Sequence, residues 1–273
     1  MKELLVKNLA LLPKRSKEGH KYTYGSLLII GGSIGYLGAP ELSGLAALRS
    51  GVGLASIALP NDIYYSFKKD VLSLMFFPYQ TSSDIKALLP KKTAVVFGPG
   101  LNKDDPQNEA VLETLLTAKI ALLIDASGLD IFKRVMDKFD DFANVVITPH
   151  LGEAARLLDG LDPLTNYELL LKKNITLVLK GSTTIIAKNN ERFLANNGHP
   201  AMAVAGMGDV LSGVIGAFLA EGYSPLEASK LGVYIHQAAA RYALKATHEI
   251  SLISEDVINS LPFVYDELTA EQK

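Results

Sequence analysis

In the stretch from Asn197 to Gly213, N-G-H-P-A-M-A-V-A-G-M-G-D-V-L-S-G, glycines flank a lone carboxylate just ahead of an apolar run. Gly206 and Gly208 let the backbone approach a ligand closely, and the helix predicted from Val210 begins with N–H groups that lack intrahelical partners. Such donors suit a phosphate. Asp209 is a candidate acid or base in that turn, although a carboxylate there also serves as a cap and complements the helix dipole. The chemistry that fits is anion binding with a proton acceptor at hand.

A second phosphate-binding wall is offered by L-V-L-K-G-S-T-T-I-I-A, where Lys180 is followed by Gly181, Ser182, Thr183 and Thr184. An ammonium group with nearby backbone and hydroxyl donors can hold the phosphates of a nucleotide. The P-loop spacing G-x-x-x-x-G-K-[ST] is absent, so this is a phosphate site of another kind. Two glycine turns accompany it. In I-I-G-G-S-I-G-Y-L-G-A-P no G-x-G-x-x-G can be drawn through Gly31, Gly32, Gly35 and Gly38; Asp62 after the second strand keeps a dinucleotide fold as an alternative, and the preferred reading is that these glycines bring backbone amides and the small Ala39 against a ligand. In F-G-P-G-L, Gly98 and Gly100 surround Pro99 in a rigid turn. L-I-D-A-S-G-L places Asp125 at the end of an apolar run, and V-V-I-T-P-H-L-G-E-A-A-R-L-L places His150 and Glu153 at a strand-to-helix junction. Asp125 and Glu153 also have ordinary readings, as a cap and as a partner of the helix dipole.

The elements that must position these residues alternate between short buried strands and helical patterns, as parallel βαβ units do. The predicted strands are Leu27–Ile30, Leu54–Leu59, Ala94–Phe97, Ala121–Ile124, Val145–Ile147, Thr176–Leu179 and Thr184–Ala187, the last two forming a hairpin at the sheet edge. Consecutive apolar residues in most of them imply burial on both faces, with helices on both sides. Predicted helices cover about Pro40–Ser50, Gln107–Leu116, Gly152–Leu158, Val210–Glu221 and Pro225–Thr247, and a final one starts at Ser254 and ends before Pro262. In open α/β sheets ligands lie outside the carboxyl ends of the strands, where four strands end in the turns after Ile30, Phe97, Ile124 and Ile147, and the helix-rich segment after Asn197 is expected to close one side of that site.

Composition narrows the function classes. A chain of 273 residues, 48% hydrophobic, can bury a large core in a single α/β domain. A net charge of -2 and a pI near 6.2 provide no basic surface for nucleic acid. Without cysteine there are no disulfides, thiolate nucleophiles or cysteine metal sites. No apolar run is long enough to span a bilayer or to serve as a signal peptide, so a cytoplasmic protein without a membrane partner is expected.

The ordered set G-G-S-x-G-Y-x-G-A, F-G-P-G-L, T-P-H-x-G-E-A-A-R-L-L, V-L-K-G-x-x-T and N-x-x-x-A-M-A-x-x-G-x-G-D-V-L-S-G resembles the ADP/ATP-dependent NAD(P)H-hydrate dehydratases of the ribokinase-like superfamily, from about Asn8 to the final helix. The resemblance implies one domain over residues 1–273, a ribokinase-like three-layer α/β/α sandwich with a largely parallel central sheet. It implies repair of damaged cofactor, in which hydrated NADH or NADPH is dehydrated while ADP or ATP is cleaved. The family pattern sets the hydrated dinucleotide against Ala39, Gly100, His150 and Asp209. It sets the nucleotide on Lys180, Gly181, Ser182, Thr183, Thr184 and Gly208, with Gly206 and Gly208 as the anion hole and Asp209 as the catalytic base. Mg²⁺ is implied as cofactor, with Asp125 and Glu153 as indirect candidates to hold it. A homotetramer and a separate NAD(P)H-hydrate epimerase are the implied partners, no epimerase domain being recognisable in the chain.

The chain departs from the family pattern at several positions. It has Ser127 where a second acid is usual in D-A-D-A-L, Ala205 where glycine is usual, His199 where asparagine is usual, and Tyr22 where glycine is usual. The same turns also fit two rival activities: a small-molecule hydroxyl kinase of the superfamily that keeps its phosphorylated product, and a non-catalytic nucleotide-binding module.

Overall fold

The computed structural model describes residues 1–66 and 71–272. Among the described residues, one ten-stranded sheet contains β1 (Lys2–Glu3), β2 (Ser26–Ile30), β3 (Leu54–Pro60), β4 (Met75–Tyr79), β5 (Ala94–Phe97), β6 (Ala121–Ile124), β7 (Val145–Ile147), β8 (Thr176–Leu179), β9 (Thr184–Lys188) and β10 (Glu191–Ala195). The order across it is β1-β10-β9-β8-β7-β6-β5-β2-β3-β4. Every pairing from β4 through β8 is parallel. The β8–β9 and β9–β10 pairings are antiparallel, and β1 joins β10 in parallel.

All the predicted strands form, within a residue at either end. The β8–β9 hairpin is not at the sheet edge, however, because β10 and β1 extend the sheet beyond it. The reason is long-range: β10 buries only Phe193 and Ala195 of its five residues, and its place depends on the register it finds on β9. The opposite edge strand, β4, contains Pro78, which is tolerated where no further strand needs its N–H.

The helices are α1 (Gly38–Arg49), α2 (Asn61–Ser66), α3 (Ser82–Leu88), α4 (Gln107–Ala118), α5 (Ser127–Val135), α6 (Leu151–Leu157), α7 (Pro163–Asn166), α8 (Met207–Ala220), α9 (Pro225–Ala243) and α10 (Ser254–Glu271). The period-two alternation of each strand separates them into two layers. In β2, Leu27 and Ile29 belong to the core formed with α1, α8, α9 and α10, whereas Leu28 and Ile30 belong to the core formed with α3, α4, α5 and α6. The result is the α/β/α sandwich implied by burial of the strands on both faces.

Helix α10 runs through Pro262 instead of stopping before it. Leu261, Val264 and Leu268 are buried on either side of the proline, and that packing outweighs the lost backbone hydrogen bond. Helix α8 decides where the site lies. It is buried along nearly its whole length, and its glycines let it sit deep: a Cβ on Gly213 would lie 2.1 Å from the Ser43 carbonyl oxygen, and one on Gly216 would lie 2.6 Å from Val96 Cγ2. Wedged between α1 and β5, α8 presents its first turn at the carboxyl end of the sheet.

Candidate active site

Helix α8 begins at Met207, three residues earlier than its apolar run alone predicts, so Asp209 lies inside the first turn. Gly206 precedes the helix with φ of +83° and ψ of -12°, and a Cβ there would approach Leu42 Cδ1 to 2.5 Å. Conformation and space both require glycine at that position. No side chain caps this helix start, so the capping role considered for Asp209 is not the one it takes. The amides of Met207, Gly208 and Asp209 open outward as first-turn donors. Ser43 Oγ donates to the Asp209 carbonyl oxygen at 2.9 Å and ties the turn to α1.

Behind that turn lies a buried charge network. Lys180 Nζ donates to Asp125 Oδ1 at 2.7 Å and stands 3.9 Å from Glu153 Oε2. Ser212 Oγ, one turn along α8 from Asp209, donates to Asp125 Oδ2 at 2.7 Å. Asp125 is fully buried with both oxygens engaged, so it is no helix cap either. Burial alone would lower the Lys180 pKa, but the carboxylates of Asp125, Glu153 and Asp209 outweigh it, and the net shift is upward. Burial, reinforced by the charge of Asp125, pushes the Asp209 carboxyl up to about 7 against the pull of Lys180. A carboxyl so poised exchanges a proton near neutral pH.

His150 and Lys180 are neighbours in a bridge that continues the β7–β8 pairing past the strand ends. Nδ1 of His150 accepts from the Gly152 and Glu153 amides at 3.0 and 3.2 Å, which leaves the ring proton on Nε2, 3.5 Å from Glu153 Oε1. Glu153 Oε2 in turn accepts from the His150 amide at 2.8 Å. His150 is therefore the cap of α6, with an exposed edge toward solvent.

Two cavities meet at the first turn of α8. One, of about 610 Å³, is lined by Ala39, Gly100 and Asp209 together with Tyr36, Asn102 and Ser127. The other, of about 900 Å³, is lined by His150, Lys180, Gly181, Ser182, Thr184 and Gly208. Gly208 lines the second and Asp209, the next residue, lines the first. Three of the residues expected to face the dinucleotide thus share one cavity, and His150 lies in the other. Of the residues expected on the nucleotide, Thr183 is exposed and does not line the second cavity. Gly206 lies behind the junction and lines neither.

The departures from the family pattern find places as well. Ala205 is exposed and is absent from the residues with positive φ, so its methyl group is unstrained. His199 caps the turn that follows it, Nδ1 accepting from the Ala201 amide at 3.2 Å, the work an asparagine side chain does. Ser127 opens α5 beside the first cavity. Tyr22 is exposed and touches neither cavity.

Some residues here carry no local signal in the sequence. Ser212 and Ser43 look like ordinary helical serines until the helices pack. Ala126 takes φ of 49° and ψ of -129°, a strained conformation for alanine, at the floor of the first cavity. His236 lines the second cavity, is held neutral by burial that pushes its pKa down to about 4, and has no hydrogen-bond partner on Nε2.

The sequence model of NAD(P)H-hydrate dehydratases matches residues 27–262. The chain belongs to the NAD(P)H-hydrate dehydratase family. A Lactiplantibacillus plantarum ADP-dependent (S)-NAD(P)H-hydrate dehydratase is 30% identical over 255 residues, covering 87% of this chain and 89% of its own. The Coxiella burnetii bifunctional NAD(P)H-hydrate repair enzyme Nnr is 34% identical over 260 residues, 92% of this chain and 52% of its own. The chain therefore spans about half the length of such bifunctional relatives. Among solved structures, the ADP/ATP-dependent NAD(P)H-hydrate dehydratase from Bacillus subtilis, co-crystallised with ATP and Mg²⁺, superposes with a TM-score of 0.82 at 26% identity over 96% of each chain. The fold shared with these family members is ribokinase-like.

Proposed function

We propose that this family member dehydrates the S epimer of hydrated NADH or NADPH, using ADP or ATP as phosphoryl donor and releasing AMP or ADP with phosphate. The observation that carries the reading is that Gly208 and Asp209, adjacent in sequence, line two different cavities. A donor nucleotide in the larger cavity and a hydroxyl acceptor in the smaller one would meet at the first turn of α8.

Asp209 takes the proton of the ring hydroxyl as its oxygen attacks the terminal phosphorus, and the shortened nucleotide leaves. The first-turn amides of α8, with Gly208 closest, stabilise the phosphoryl oxygens, and Lys180 holds the charge of the donor. Hydroxide is a poor leaving group and phosphate a good one. The ring nitrogen pushes its electron pair in to expel phosphate, and the iminium so formed loses a proton from the neighbouring ring carbon to restore the dihydronicotinamide.

A cluster of three or more histidine or carboxylate side chains suited to a metal is absent among the described residues. That agrees with a magnesium ion held mainly by phosphate oxygens and water, which asks for only one or two carboxylates. Asp125 and Glu153, whose oxygens are taken up by Lys180, Ser212 and His150, would act on it only indirectly, through water. When bound it would neutralise charge on the donor phosphates. The co-crystallisation of the Bacillus subtilis relative with ATP and Mg²⁺ supports magnesium as the ion, without bearing on its ligands.

The same reading takes the chain as one domain, an assignment supported by the single sheet from β1 to β10. It places the protein in the cytoplasm, in keeping with the absence of a membrane-crossing helix among the described residues. A homotetramer and coupling to an NAD(P)H-hydrate epimerase complete it.

The test is the return of dihydronicotinamide absorbance from hydrated NADH, with ADP, ATP and no nucleotide compared. Recovery that needs a nucleotide supports the dehydratase. A stable phosphorylated product without recovery would make the chain a kinase, and nucleotide binding without phosphate release would make it a binding module.

A further inference from the structure

The loop between β2 and α1 presents two large apolar side chains at the mouth of the smaller cavity. Ile34 is 83% exposed and Tyr36 is 66% exposed, and both line that cavity. Solvent-facing apolar side chains gathered at a pocket rim mark a surface that a ligand completes. The loop holding them is a built structure. The Tyr36 amide donates to the Ser33 carbonyl at 2.9 Å, Ser33 Oγ donates to the Gly100 carbonyl at 2.7 Å, and the Gly32 amide donates to the Pro99 carbonyl at 2.9 Å. Gly32 and Gly35 take φ of +87° and +86°, which turns the loop over the strand ends.

Tyr36 also lies against two of the residues expected to face the dinucleotide. A Cβ placed on Gly100 would fall 3.1 Å from Tyr36 Cβ and 3.2 Å from Ala39 Cβ, so the three residues converge on one spot. Asp209 lines the same cavity. A tyrosine offers a large, rigid contact area at low entropic cost, with a flat face suited to a ring.

We propose that Tyr36, backed by Ile34, packs over the hydrated nicotinamide ring and shields it from water during the reaction. The proposal rests on the dehydratase reading and adds to it a reason for an apolar cover. Once phosphate has left, the ring is an iminium that has two fates. Loss of the neighbouring proton gives the dihydronicotinamide. Addition of water with loss of a proton gives back the hydrated ring, and one ADP has then been split to AMP and phosphate for nothing. Excluding water from the ring is what keeps phosphate release coupled to cofactor repair. Tyr36 is thus a positioning and shielding residue, distinct from the proton-transfer role of Asp209.

The experiment compares wild type, Tyr36→Ala and Tyr36→Phe in the presence of hydrated NADH and ADP, with phosphate and NADH measured in the same samples. Wild type is expected to release about one phosphate per NADH formed, as the reaction written above requires. Tyr36→Ala is expected to raise the KM for hydrated NADH roughly tenfold or more, to leave the KM for ADP unchanged, and to release several phosphates per NADH. Tyr36→Phe, which keeps the ring, is expected to match wild type in all three. An unchanged KM and an unchanged ratio in Tyr36→Ala would overturn the proposal. So would an equal rise in both KM values with the ratio held at one, which is the mark of general damage to the loop. A wild-type protein that forms no NADH with any nucleotide overturns the dehydratase reading and the shield with it, whereas an active wild type indifferent to Tyr36→Ala overturns the shield alone.

Discussion

Lys180 Nζ and Asp125 Oδ1 lie 2.7 Å apart although their strands, β8 and β6, are separated by β7. The two side chains reach over the end of the middle strand and join above it. Asp125 is held from the other side by Ser212, so one carboxylate links the sheet, the lysine and the helix that carries Asp209.

Removing the lysine therefore strands a buried carboxylate. Lys180→Ala is expected to lower stability at pH 7 by about 3 kcal/mol, read from urea unfolding, and to weaken nucleotide binding strongly. The folded pKa of Lys180 is raised, so the charged pair contributes fully below pH 10.5 and is lost only as the pH climbs above that value. Pairing the change with Asp125→Asn should recover part of the stability without recovering nucleotide binding. A double-variant loss equal to the sum of the two single-variant losses would show that the two side chains act independently.

Asp209→Asn is expected to reduce turnover by three orders of magnitude or more while leaving nucleotide affinity within about threefold. Substantial residual turnover would remove Asp209 from proton transfer. The same substitution should stabilise the protein. The folded pKa of Asp209, about 7, lies above its ordinary 3.8, so the folded state binds the extra proton and wild-type stability falls as pH rises between those values. At pH 8 the variant is expected to gain about 1–2 kcal/mol, part of the full linkage value because Asp209 is only half-buried.

The same shift predicts the acid limb of the pH–rate profile. Asp209 must be ionised to accept the hydroxyl proton, so kcat/KM should rise about tenfold per pH unit below 7 and level off above 8. A profile already flat from pH 5 would place the titration elsewhere.

Gly100→Ala tests the smaller cavity from its wall. The residue takes φ of +68°, and a Cβ there would come within 2.4 Å of the Tyr36 carbonyl oxygen. The expected outcome is a loss of about 1–3 kcal/mol in stability and a raised KM for the hydrated dinucleotide, with the KM for ADP little changed. An equal effect on both would show that the cavities are not independent.

What the sequence by itself determined is local. Runs such as Leu27–Ile30 and Ala94–Phe97, short, wholly apolar and closed by glycine, read as buried strands, and the turns after them place Ala39 and Gly100 at one end of the sheet. The ordered motifs carried the family. Tertiary structure decided the rest, because it depends on contacts between residues far apart in the chain. Five short residues from Glu191 became a strand only on finding β9, and α10 kept its course through Pro262 only because Leu261, Val264 and Leu268 had a core to enter. The same holds for the site. No spacing reveals that Asp125 meets Lys180 55 residues away and Ser212 87 residues away, or that His150 turns to the cavity that Ala39 does not line. A motif fixes which groups are offered. The packing of α8 between α1 and the sheet fixes which of them face each other.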